Sequence, residues 1–115
     1  MDCIFCKIVE GEIPCERVLD TPEFLAFRDI RPQAPVHVLV VPKRHVATLN
    51  ELREEDPGLA GGLVHAAVEA ARREGIDRSG YRLVMNCNRD GGQEVFHVHL
   101  HLMGGRPLGA MCSGP

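Results

Sequence analysis

The stretch that decides the fold is Val95-Phe96-His97-Val98-His99-Leu100-His101-Leu102-Met103, in which histidines alternate with apolar residues. Side chains of a β-strand point alternately to opposite faces, so this alternation predicts a strand over residues 95–103. The three imidazoles are then expected on one face, roughly 6.5–7 Å apart along the strand. The other face is expected to anchor the strand in a core through Phe96, Val98, Leu100 and Leu102.

Three histidines in strict alternation are more than packing requires. Each imidazole needs hydrogen-bond partners and titrates near neutral pH, which favours a functional role. A neutral imidazole can attack phosphorus and form a covalent intermediate that water later hydrolyses. His99 is the predicted nucleophile, because it has an imidazole on either side and a main-chain carbonyl can fix its tautomer. His101 is predicted to contact phosphoryl oxygens or to relay a proton to the leaving group.

The turn Gly91-Gly92-Gln93 directly precedes the histidine strand. Glycine lets main-chain amides approach an anion closely, and the Gln93 side chain can donate a hydrogen bond. Beside the histidines, this turn predicts a phosphate-binding loop.

The remaining patterns predict one α+β domain over residues 1–115. Strands are predicted at residues 17–20, 23–29, 36–42 and 81–86, with a turn at Thr21-Pro22 between the first two. A helix is predicted from the Asp56-Pro57 cap to Gly75. Its apolar stripe comprises Leu59, Leu63, Ala67, Val68 and Ala71. His65 falls off that stripe and is expected in solvent. This order predicts a mainly antiparallel sheet covered by one long helix.

Composition and charge narrow the function classes. The chain has 115 residues, a net charge near -3 and scattered basic residues, which argues against a nucleic-acid-binding surface. No apolar stretch approaches 18 residues and no secretory leader is evident, so a soluble cytoplasmic protein without a membrane partner is expected. An odd number of cysteines argues against a disulfide framework: Cys3, Cys6, Cys15, Cys87 and Cys112. Cys3 and Cys6 have a spacing that suits zinc, but they supply only half a site.

The run from Gly91 to Arg106 resembles the signature of the histidine triad (HIT) family. Phe27-Arg28-Asp29-Ile30, Pro32-Gln33-Ala34-Pro35-Val36-His37 and Pro42-Lys43-Arg44-His45 resemble that family's other motifs, in the same order. The resemblance spans nearly the whole chain, and the Gly-Gly-Arg after the triad is similar to the Hint branch of histidine triad nucleotide-binding proteins. It implies a HIT-like fold with a five-stranded sheet, one long helix and a short N-terminal helical segment.

The resemblance implies hydrolysis of purine nucleoside phosphoramidates through a nucleotidyl-histidine intermediate, releasing a nucleoside 5′-monophosphate and an amine. AMP, GMP and their phosphoramidates are the expected ligands. His99 matches the nucleophile, His37 and His101 match its partners, and Asp29 matches the carboxylate that binds both ribose hydroxyls. The positions that match the base pocket and the phosphate site are Ile4, Phe5, Ile8, Phe27, Ile30, Leu39, Asn86, Gly92, Gln93 and Val95.

The resemblance also implies a metal site and a homodimer. In several bacterial relatives, the two N-terminal cysteines share zinc with two histidines, which here are His45 and His97. Four protein ligands leave no open coordination position, so a structural zinc and no catalytic cofactor are expected. Its loss is expected to affect stability more than chemistry. Glu94 replaces a serine or threonine of some relatives, so the phosphate contacts at this position do not transfer. Residues 107–115 lack the tryptophan of some animal relatives, so leaving-group preference does not transfer.

Other functions stay open at this point. One is a zinc hydrolase in which His97, His99 and His101 bind one catalytic metal. Against it, the first and last rings of three on a straight strand lie roughly 13 Å apart. The others are a nucleotide-binding regulatory protein with little turnover and a dinucleoside polyphosphate hydrolase.

Overall fold

A computed structural model describes residues 3–53 and 56–111 of the chain. One sheet contains five strands: β1 (Arg17–Asp20), β2 (Phe24–Arg28), β3 (Val36–Pro42), β4 (Tyr81–Val84) and β5 (Leu100–Gly104). Their order across the sheet is β1-β2-β3-β5-β4, and every neighbouring pair is antiparallel. The helices are α1 (Ile4–Val9) and α2 (Pro57–Arg73), with a 3-10 turn at Leu49–Glu51. The predicted α+β architecture is therefore confirmed. Cys112 lies outside the described residues.

Alternation of side chains gives the sheet two apolar faces. Val38 and Val40 of β3 pack under α2 with Leu100 and Leu102 of β5. Phe27, Leu39 and Val41 belong to a second cluster, on the other face, with Phe5 and Ile8 of α1. The two helices consequently cover opposite faces of the sheet. No helix within the described part of the chain is both long and apolar enough to span a membrane.

Helix α2 packs closely on the sheet through small residues. Leu63, Ala67 and Ala71 are buried as predicted, whereas His65 is exposed, also as predicted. A Cβ atom at Gly62 would overlap the Phe24 ring of β2. Glycine at this position therefore allows the close approach of helix and sheet. The helix ends as expected at Gly75, whose φ of +73° is the left-handed conformation that glycine adopts readily.

The histidine strand is shorter than its pattern predicts. Pairing of β5 with β3 begins at Leu100 opposite Val40, although β3 continues to Pro42, because the segment before Leu100 follows another path. There the Val98 amide donates to the Val46 carbonyl at 2.7 Å. The prediction that Phe96 is a core residue is wrong, since this side chain is 49% exposed. Burial of Val98, Leu100 and Leu102 on the α2 side is confirmed.

Candidate active site

His37 and His101 form a hydrogen-bonded pair on the α1 face of the sheet. His37 lies on β3 and His101 on β5, with His37 Nε2 2.9 Å from His101 Nδ1. The main-chain amide of Gln33 donates to His37 Nδ1 at 3.0 Å. His37 must therefore carry its proton on Nε2 and donate it to His101, whose own proton is then on Nε2. The pair is thus aligned for proton transfer.

His99 lies immediately before β5, and its ring is 5.0 Å from the His101 ring between centroids. Its Nδ1 atom is 2.8 Å from the main-chain oxygen of His97. A carbonyl only accepts hydrogen bonds, so His99 carries its proton on Nδ1 and has the free lone pair on Nε2. The main-chain carbonyl predicted to hold this ring is therefore present. A neutral imidazole with a fixed tautomer is the form that a nucleophile requires.

Burial keeps the histidine pair neutral. The pKa of His101 is lowered from 6.5 to about 4, chiefly by burial and in part by the neighbouring His99 and His37 rings. Burial also lowers the pKa of His37, against the attraction of Asp29. Asp29 follows β2, with its Oδ2 atom 3.5 Å from His37 Nε2 and its Oδ1 atom accepting from the Arg31 amide at 2.9 Å. A carboxylate thus lies beside two neutral imidazoles.

An apolar floor borders these polar groups. Phe5, Ile8, Phe27 and Leu39 are buried together, and Val95 packs against them. The Phe5 ring meets the Phe27 ring edge-on, with centroids 5.6 Å apart. Two apolar side chains expected in the base pocket are exposed in the chain alone: Ile4 at 48% and Ile30 at 92%. Apolar surface is therefore available to a flat ligand.

The loop before the histidines is held by side-chain amides. Asn86 donates to the Gly91 carbonyl at 2.6 Å, and Gly92 adopts a φ of +76°. Both amide hydrogens of Gln93 are engaged, because Nε2 donates to the Ala47 and Val95 carbonyls at 2.8 and 3.0 Å. In this arrangement Gln93 braces the loop, so the expected donation from its side chain to phosphate is not supported.

A second cluster joins α1 to the sheet through Cys3, Cys6, His45 and His97. Their ligand atoms all lie within 4.8 Å of one another. His97 Nδ1 is 3.3 Å from Cys3 Sγ, 3.6 Å from Cys6 Sγ and 3.2 Å from His45 Nδ1. Tetrahedral zinc, with Zn–N of about 2.0 Å and Zn–S of about 2.3 Å, places its ligand atoms about 3.3–3.8 Å apart. The two thiols and two imidazoles therefore fit such an ion.

His97 has the tautomer that a metal ligand needs. Its Nε2 atom is 2.8 Å from the Pro42 carbonyl, so the proton is on Nε2 and the Nδ1 lone pair faces the cluster. Burial and Cys3 raise the pKa of the Cys6 thiol to about 11, so a cation is needed to hold the Cys6 thiolate at neutral pH. The three-histidine zinc alternative is not supported, because both nitrogens of His97 are directed away from a site shared with His101.

Sequence reasoning predicted a main-chain carbonyl for His99 but missed the main-chain groups that orient His37 and His97. The Gln33 amide fixes His37, and the Pro42 carbonyl fixes His97. Both residues stand in the motifs that carry the family resemblance, Gln33 three residues before β3 and Pro42 at its last position. Their side chains gave no signal of these roles, because any residue offers the same carbonyl and all but proline offer the same amide.

The fold and the histidine constellation define a class that the comparisons identify. The HIT domain profile matches residues 10–108, and the chain belongs to the HIT family. The purine nucleoside phosphoramidase of Escherichia coli (strain K12) is 48% identical over 110 residues, covering 96% of this chain and 92% of that protein.

Two solved structures share the fold. The HIT family hydrolase from Legionella pneumophila Philadelphia 1 has a TM-score of 0.89 and 52% identity, covering 92% of this chain and 95% of that one. A histidine triad protein from Clostridium difficile has a TM-score of 0.91 and 42% identity, covering 94% of both chains. The HIT-like fold expected from the resemblance is confirmed.

Proposed function

We propose that the protein is an enzyme that hydrolyses the P–N bond of purine nucleoside phosphoramidates. The observation that carries this proposal is the His99 ring, whose Nδ1 proton is held by a carbonyl while Nε2 keeps its lone pair. The likeness to the Escherichia coli purine nucleoside phosphoramidase supports the same substrate class. A polyphosphate substrate is the alternative that the assay below must separate.

In the first step, His99 Nε2 attacks phosphorus and the P–N bond to the amine breaks. The leaving nitrogen takes the Nε2 proton of His101, and a proton from solvent replaces it, so that neither ring is left as an anion. His37 keeps its Nε2 proton and holds His101 Nδ1 through the 2.9 Å hydrogen bond. In the second step, water attacks phosphorus, the P–Nε2 bond to His99 breaks and one proton of that water is released to solvent. The products are a nucleoside 5′-monophosphate and an amine.

The nucleotide is held by the groups around these rings. Asp29 accepts hydrogen bonds from the ribose hydroxyls, since a carboxylate offers two acceptor oxygens to a diol. Asn86, Gly92 and Val95 are the proposed phosphate neighbours, with Gln93 supporting the loop. The base, adenine or guanine, covers the apolar residues Ile4, Phe5, Ile8, Phe27, Ile30 and Leu39.

The function is tested with AMP and GMP phosphoramidates and a diadenosine polyphosphate, assayed in parallel. The phosphoramidates should turn over fastest. His99→Ala should lower kcat by about 10³-fold or more while still binding AMP, because it removes the nucleophile but not the nucleotide contacts. His65→Ala, on the exposed face of α2, is the matched control. Full activity of His99→Ala would exclude the covalent step, and labelled substrate should otherwise leave an adduct on His99.

We also propose a structural zinc in the cluster of Cys3, Cys6, His45 and His97. Bound there, zinc supplies a cross-link between α1 and the sheet and takes no part in the reaction. Protein purified without chelators should contain about one zinc per chain, as expected for a complete four-ligand site. Absence of zinc in such a preparation would reject the site.

The assembly and location belong to the same proposal. One HIT domain over residues 1–115, a homodimer and residence in the cytoplasm fit an enzyme that acts on free nucleotides. Neither nucleic acid nor membrane is a proposed partner. Sedimentation measurements test the dimer, and cell fractionation tests the location.

A further inference from the structure

The segment that carries His97 and His99 lacks the support of a regular strand. The β5 ladder begins only at Leu100, so neither residue is held by strand pairing. Across this segment, the Val98 amide donates to the Val46 carbonyl in the loop after β3. Other contacts must hold the nucleophile of the proposed reaction in place.

The first such contact runs through His97. The ring of His97 is fixed at both nitrogens, by the cluster at Nδ1 and by the Pro42 carbonyl at Nε2. The carbonyl of the same residue accepts the Nδ1 proton of His99 at 2.8 Å. A residue whose ring is held on two sides presents its carbonyl in one direction. The His99 tautomer therefore depends on where the cluster holds His97.

The second contact runs through Phe5. This residue stands between Cys3 and Cys6 in α1, and Cys3 Sγ caps the helix by accepting the Cys6 amide at 3.3 Å. The Phe5 ring meets the His97 ring and the His99 ring edge-on, with centroids 5.9 and 5.1 Å apart. The helical turn that supplies both thiols therefore also supplies a wall against the nucleophile.

We infer that His97 and Phe5 are positioning residues through which the four-donor cluster holds His99 in its reactive orientation. This inference rests on the proposed function and adds to it. A cross-link that acted only on stability would leave the His99 ring unchanged in any protein that remains folded. A cluster that positions the ring makes both the His99 tautomer and kcat depend on it. KM does not distinguish the two roles, because α1 also carries Ile4, Phe5 and Ile8 of the proposed base pocket.

The test compares wild-type protein, the double variant Cys3→Ser plus Cys6→Ser, and Cys15→Ser as the matched control. Cys15 is a free thiol outside the cluster. Nitrogen NMR of the imidazoles reports which His99 nitrogen is protonated, and steady-state assays give kcat and KM. Wild type and Cys15→Ser should show the single Nδ1–H form. The double variant should show mixed tautomers and a kcat about 10- to 100-fold lower.

A folded double variant with the wild-type tautomer and wild-type kcat would overturn the inference. If the double variant does not fold, Phe5→Leu decides, because it keeps all four donors. Unchanged His99 signals and kcat in Phe5→Leu would then overturn it. The NMR measurement needs no substrate, so it remains decisive even if the wild-type protein fails to hydrolyse phosphoramidates, a result that would count against the proposed function alone.

Discussion

His97 and His99 lie two residues apart in one motif, yet their rings carry protons on opposite nitrogens. His97 donates from Nε2 to Pro42 and keeps Nδ1 as a lone pair among thiols. His99 donates from Nδ1 to the His97 carbonyl and keeps Nε2. The side chains are identical, so the difference comes from the main-chain oxygen that each ring meets. The ring nitrogen that donates to the main chain therefore decides whether a histidine faces the metal-type cluster, as His97 does, or the catalytic cluster of His37, His99 and His101.

The neighbours of each ring reinforce this difference. His97 shares its cluster with two sulfur atoms, which suit a soft cation. His99 has the His101 ring beside it, and His101 in turn contacts His37, so that part of the site suits proton transfer. Phe5 lies between the two clusters and contacts a ring of each. Variants of His37 or His101 should therefore leave the metal-type cluster intact, whereas variants of that cluster should also affect His99.

The largest effect is expected from a substitution in the catalytic cluster alone. His101→Asn removes the proposed proton donor and should lower kcat by about 10²- to 10⁴-fold, the usual contribution of general acid catalysis. Zinc content should stay at the wild-type value, because His101 is not among the four donors. The matched variant His45→Asn should instead lose zinc. Loss of zinc from His101→Asn would show that the two clusters are not independent in this direction.

A smaller effect is expected from a substitution of Asp29, which lies beside the histidine pair. Asp29→Ala removes the proposed partner of the ribose hydroxyls and should raise KM by about 10- to 100-fold, as expected when hydrogen bonds to a charged group are lost. The 2′-deoxy substrate provides the control, since wild type should discriminate against it and Asp29→Ala should do so much less. Equal discrimination by both proteins would place the ribose elsewhere.

The smallest effect expected is on the pH dependence of stability. His101 has its pKa lowered to about 4 in the folded protein, against 6.5 ordinarily. Between these values the unfolded chain binds more protons, so the free energy of unfolding rises with pH. This contribution is complete above pH 6.5 and is lost as pH falls toward 4. The free energy of unfolding, measured with urea, should therefore fall more between pH 7 and pH 5 for wild type than for His101→Asn. Parallel losses would contradict the burial argument, and both proteins share the same metal cluster.

The sequence predicted the clusters better than the contacts that orient them. Alternation in the motif correctly put Val98 and Leu100 in the core, because the side-chain period persists even where strand pairing has stopped. The choice of partner for each ring depends on the path of the backbone, which side-chain patterns do not encode. Gln93 illustrates this, because its amide hydrogens go to the Ala47 and Val95 carbonyls, one of them distant in sequence.

Phe96 shows the same limit of sequence patterns, here for a residue that was predicted to be buried. Its place in the alternation predicted burial, but the ladder stops before it and the ring is half exposed. Local periodicity describes how neighbouring side chains alternate. It does not report where pairing with the neighbouring strand stops, which is here at Leu100 opposite Val40.

The absent side chain at Gly62 has a consequence for how α2 can evolve. Since the Phe24 ring fills the space where a Cβ would stand, turning the helix about its axis would bring a bulkier residue onto that ring. Gly62 thus fixes the rotation of α2 about its own axis relative to the sheet. Mutational libraries directed at this helix should therefore tolerate wide variation at His65 and almost none at Gly62.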